Sequence, residues 1–127
     1  MSPEEYRKKF THYESIRKRN EWMLEKYDTQ PRDDRAPSLI FCVRVGEIAF
    51  ATNRYELYMD YMHRIQARSP FIQTFIVQLA GEEYGGYLPT ERGVKNKGYS
   101  ASLFDNSVSF TGGQELVEET LKGLSEL

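Results

Sequence analysis

Residues 46–90 read GEIAFATNRYELYMDYMHRIQARSPFIQTFIVQLAGEEYGGYLPT, and the spacing of their apolar residues switches from strand to helix and back. Gly46-Glu47 makes a tight turn into a short apolar run at 48–51, which reads as a strand. From about 55 to 67, Leu57, Tyr58, Tyr61, Met62 and Ile65 recur at three- and four-residue spacing. A helix is expected there, ended by Ser69-Pro70, because the residue before a proline is pushed out of the helical region. Residues 71–79 return to a continuous apolar run with Phe71, Phe75, Ile76 and Val77 as its body, a second strand. A glycine-rich loop is expected over 81–98, with one short helical turn after Pro89. Strand, helix and strand in this order decide for a sheet packed by helices.

Working outward, residues 38–45 alternate Leu39, Phe41, Val43 and Val45 against Ile40 and Cys42. With both faces apolar, this strand is expected in the middle of the sheet, and the turn at 46–47 makes it a hairpin with 48–51. At the start of the chain, Ser2 can cap a helix, Pro3 suits its first position and Glu5 completes a capping box. Tyr6, Phe10, Tyr13, Ile16, Met23, Leu24 and Tyr27 then form one stripe on a long helix that ends near Asp28. The polar stretch 30–37, bounded by Pro31 and Pro37, reads as a linker. Residues 99–104 are expected as a short strand. Thr111 and Gln114 are placed to cap a last helix, with Leu116, Val117, Leu121, Leu124 and Leu127 on its apolar face. The fold class is therefore mixed α/β: a small sheet of about four strands, packed by a long N-terminal helix (1–30), a central helix and a C-terminal helix. Residues 31–37 form the linker and 38–127 one compact segment.

Composition excludes several function classes. A formal charge of −2 from 17 basic and 19 acidic residues offers no footprint for nucleic acid. The basic residues of 7–19 are interleaved with glutamate and aromatics, the pattern of a solvated helix face. A single cysteine, Cys42, cannot form an internal disulfide, and its apolar neighbours make it a small hydrophobe of the interior. No apolar run approaches the length of a membrane span, and none of the residues reads as a signal-peptide core. Localisation stays open on these grounds.

The segment 46–90 resembles the end of the catalytic domain in the neutral/alkaline (non-lysosomal) ceramidase family. The resemblance is carried by Gly46-Glu47-Ile48-Ala49, by Arg68-Ser69-Pro70-Phe71, and by Tyr84-Gly85-Gly86-Tyr87-Leu88-Pro89-Thr90. It extends over roughly residues 39–127, including Lys97-Gly98-Tyr99 and a terminal helix after Gly112-Gly113. It implies a zinc-dependent amide hydrolase in which Glu56 and Tyr84, with Tyr87 as the alternative phenol, are ligands of the metal. It also implies that histidine ligands come from upstream sequence, so the chain is expected to be the C-terminal part of a larger catalytic domain and inactive alone. Its partners would be the rest of that domain or further copies of itself. Two departures lie near the site: Arg54-Tyr55 stands where the family has Pro-Gly, and Gly81-Glu82 where it has asparagine.

Read without the resemblance, the same residues have plainer roles. Glu56 suits the first turn of a helix, where the dipole favours a carboxylate. Tyrosine has a free pKa near about 10 and is a rare zinc ligand, so Tyr84 and Tyr87 read as rings packed over the sheet. A non-catalytic α/β module acting through protein contacts is the alternative function. His12 and His63 have no partner at metal-ligand spacing and read as surface or interface residues. Ser100 and Ser102 lack a histidine–aspartate constellation, and Gly112-Gly113 is a weak anion-site signal.

Overall fold

Ser2 and Glu5 exchange two hydrogen bonds, Ser2 N donating to Glu5 Oε2 at 2.6 Å and Glu5 N to Ser2 Oγ at 3.2 Å. This is the expected capping box, and it opens helix α1, Pro3–Thr29. Within the basic run, Lys8 pairs with Glu4 and Arg17 with Glu14 and Glu21 along the helix. The computed structural model describes residues 1–29, 35–81, 83–102, 104 and 106–127. Most of the expected linker, 31–34, lies outside the described residues. The chain divides into two units, Met1–Arg35 and Ala36–Leu127, and the rest of the fold belongs to the second.

In that unit Gly46 takes φ +63° at the first central position of a two-residue turn. A positive φ there and not at Glu47 is the pattern of a type II′ hairpin, whose twist matches the strands it joins. The turn connects β1, Cys42–Val45, to β2, Ile48–Thr52, which pair antiparallel with Val43 opposite Phe50. After β2 comes a two-residue strand β3, Glu56–Leu57, then helix α2, Met59–Arg68, and strand β4, Gln73–Val77. β4 runs parallel to β2, so the sheet order is β1-β2-β4. A further two-residue strand β5, Tyr87–Leu88, pairs parallel with β3. Helix α3, Glu91–Lys95, follows Pro89, and helix α4, Phe110–Ser125, closes the chain.

The class is mixed α/β, as the periodicities indicate, with several corrections of detail. The sheet holds three strands and a separate pair rather than about four together. The central strand is β2, not residues 38–45, whose ordered strand begins only at Cys42. Ala49 and Ala51 explain the difference: their small side chains are fully buried and let helices approach closely. Residues 99–101 form a 3₁₀ turn rather than a strand; of the expected 99–104, residue 103 lies outside the described residues. Helix α4 starts one residue before Thr111, with Ser109 at the cap. Gln114 does not close a capping box, because its amide is used between Arg64 and Glu118.

One face of the sheet carries the core. Ala49, Ala51 and Thr74 point to α2 and α4, which supply Tyr61, Ile65, Val117, Leu121 and Leu124. Each fully buried aliphatic side chain here contributes on the order of 1.5–3 kcal/mol. Cys42 is half-buried, and burial pushes its thiol pKa up, as expected of a packed rather than a reactive sulfur. Among the described residues no helix is long and apolar enough to cross a membrane.

Candidate functional site

β2 and β4 are parallel, and the chain leaves both at the same end of the sheet. Such carboxyl ends are where open α/β sheets place ligand sites. Past β2, Asn53 is buried and its Oδ1 accepts the Tyr55 N–H at 3.0 Å, an Asx turn that reverses the chain. Past β4, Ala80 N donates to Asn53 O at 2.8 Å and Leu79 N to Tyr55 O, so the two exits are stitched together. The Leu57 N–H donates to Gln78 Oε1 at 2.6 Å. Glu56 is thus fixed by strand pairing on one side and by the β4 exit on the other.

The Arg54-Tyr55 departure is accommodated without strain. Tyr55 has an ordinary negative φ and is buried. Its ring lies against Gly85, where an added Cβ would stand 2.4 Å from Tyr55 Cδ1. The space that a glycine would leave at 55 is therefore matched by a glycine across the strand pair. Arg54 sends its guanidinium to Glu83 Oε2 at 2.9 Å and to Pro37 O at 3.3 Å.

The residues singled out from the sequence meet. Tyr84 Oη donates to Glu56 Oε1 at 2.8 Å. Glu56 stands opposite Tyr87 in the β3–β5 pair. Tyr87 shares a 2.7 Å hydrogen bond with Tyr99, their rings meeting edge to face at 5.6 Å. The Tyr99 hydroxyl first, then partial burial and the Glu56 carboxylate, raise the Tyr87 phenol well above its ordinary range. One carboxylate and three phenols thus form a partly open cluster at the end of the sheet. Tyr99 is the member that sequence reasoning did not place here, although Lys97-Gly98-Tyr99 is its visible signal. The turn that holds it is anchored by Tyr58 Oη against Ser100 Oγ at 2.7 Å and by Asn106 Nδ2 on Ser100 O.

His12 and His63 are both exposed. Among the described residues no three His, Cys, Asp or Glu side chains gather as a metal-binding group. Of the cluster's donors, the Glu56 carboxylate is an ordinary zinc ligand type, and the Tyr84 phenol oxygen lies 2.8 Å from it. Comparison of the chain with protein-family models, with curated proteins and with solved structures found no match.

Proposed function

We propose that this chain contributes Glu56 and Tyr84 to the zinc site of an amide hydrolase resembling the neutral ceramidases, with Tyr87 as the alternative phenol. The observation that supports the reading is the 2.8 Å hydrogen bond between the Tyr84 hydroxyl and the Glu56 carboxylate. Residues 28 positions apart in sequence meet beside the β3–β5 pair. Zinc, when bound, supplies activation of a water molecule and polarisation of an amide carbonyl. This chain's own part is to hold the carboxylate at a rigid strand end and to present the phenol beside it. Tyr87, whose phenol pKa is raised first by the Tyr99 hydroxyl, is the less suited of the two to act as a phenolate. The remaining donors come from the rest of a larger catalytic domain or from another copy, and the substrate class is a linear amide.

The test is zinc content and zinc-dependent amide hydrolysis of a parent chain carrying Glu56→Gln or Tyr84→Phe. Loss of a ligand should lower zinc affinity by more than the roughly 10–100-fold that removal of a supporting residue costs. Unchanged metal content and activity in both variants would sink the assignment.

A further inference from the structure

β1 lies at the edge of its sheet, and one side of its main chain faces no other strand. Val45 and Ile48 flank the two-residue turn, so the antiparallel register turns the main-chain groups of Val45, Val43 and Phe41 toward β2. The Thr52 N–H on Phe41 O at 2.9 Å fits that phase. The N–H and C=O groups of Ile40, Cys42 and Arg44 therefore point outward, and among the described residues no turn, loop or side chain bonds to them. The other edge is different: in the middle of β4, Thr74 O accepts the Gln66 amide of α2 at 2.9 Å. Along the bare edge runs a groove of about 400 Å³, within the range of ligand clefts, about 300–1,000 Å³. Ser38, Ile40 and Cys42 line one side, and Glu119, Lys122 and Glu126 of α4 line the other. The Ser38 hydroxyl is shielded from water and has no hydrogen-bond partner among the described residues.

We infer that this groove takes up an extended, basic segment of another protein, which adds to β1 as a further strand. The hydrogen-bond pattern selects the kind of occupant: donors and acceptors repeating at every second residue are matched by an extended main chain. A strand paired there points alternate side chains into the groove. Ile40 and Cys42 form the apolar side that meets them, so small apolar residues suit the middle of the segment. Charge selects its ends. Glu119 and Glu126 outnumber Lys122, which leans toward Glu119 at 3.9 Å, and among the described residues Glu126 has no ion pair. Glu126 also stands at the C-cap of α4, where the free carbonyls of the helix end already favour a cation. The groove contains none of Glu56, Tyr84, Tyr87 or Tyr99, so it stands or falls apart from the zinc reading.

The test is amide hydrogen exchange of the 127-residue chain, read by NMR with and without the synthetic peptide KTVTVTK. Its valines and terminal lysines share one face of an extended chain. Saturating peptide should slow exchange at Ile40, Cys42 and Arg44 by about tenfold or more. Strand pairing uses one side of the peptide's main chain. Methylating one alternate set of its nitrogens should therefore abolish the protection, and methylating the other set should leave it. The double variant Glu119→Lys, Glu126→Lys, both sites exposed, should bind the peptide about tenfold more weakly. No protection by the peptide overturns the proposal, and so does an equal effect of the two methylated sets. Amides at these three positions that already exchange slowly in the free chain also overturn it, because the chain itself or a second copy then covers the edge. Equal affinity in the double variant overturns the choice of a basic segment.

Discussion

Tyr61 brings a hydroxyl into the core and finds two acceptors for it. Its Oη reaches Pro89 O at 2.9 Å and Phe110 O at 3.1 Å, and so fastens α2 to the loop before α3 and to the start of α4. Burial raises its phenol pKa, which keeps the donor proton in place. Tyr61→Phe should keep the packing and lose about 1–2 kcal/mol, most of it from the two carbonyls left dry. Urea unfolding monitored by circular dichroism would show this as a lower midpoint at unchanged slope. At the same scale the sequence was legible only through motif. Glu56 and Tyr84 stand out only through the resemblance, Glu56 by its spacing from Gly46-Glu47-Ile48-Ala49 and Tyr84 by opening the glycine–tyrosine loop. Tyr99 carries no such site signal, because its partner, Tyr87, is met through tertiary structure and not through local spacing.

Among the elements, those with a sustained period were readable. Helix α1, the hairpin, α2, β4 and the apolar face of α4 all lie within a few residues of their expected places. β3 and β5 were not readable, since two residues carry no period and their pairing is set by the exits of β2 and β4. β1 reads as central because apolar residues on both faces usually mean burial on both faces; in this unit helices cover only one of those faces. Arg68 ties α2 to α4 through two hydrogen bonds of 2.7 Å to Glu118, and Gln114, itself on α4, donates a third to Glu118 at 2.7 Å. Arg68 first, outweighing the opposing effect of burial and helped by Gln114, holds the Glu118 carboxyl down to about 2. Its folded pKa lies below the unfolded one. The unfolded state therefore takes up the proton first as pH falls, and the stabilisation is complete above the unfolded value of about 4.5. It declines from there and is gone once the pH passes below about 2. Both groups are solvent-screened, so the effect is modest. Thermal unfolding between these pH values should show a shallower acid dependence in Glu118→Gln than in the wild type. Parallel curves would mean that the pair adds nothing.

At the scale of the whole unit Ala36–Leu127, the two faces of one sheet differ. One is filled by the unit's own helices, and the other is apolar, uncharged and not covered by them. The two sheet pairings also differ in how far along the chain they reach. β1 meets β2 across a two-residue turn, whereas β2 meets β4 with Ile48 opposite Gln73, only after β3 and all of α2 have intervened. This sets an order of assembly. The hairpin closes a short loop and can form in about 1–10 μs, while the parallel pairing must first confine the long crossover and meet its entropy. Refolding should therefore begin from the turn at Gly46. Alanine there has to take a left-handed backbone at a cost of roughly 1–2 kcal/mol. If the hairpin leads, stopped-flow kinetics of Gly46→Ala should show refolding slowed by about tenfold, with unfolding nearly unchanged. Faster unfolding with normal refolding would reverse the order, making the crossover the nucleus and the turn its last detail.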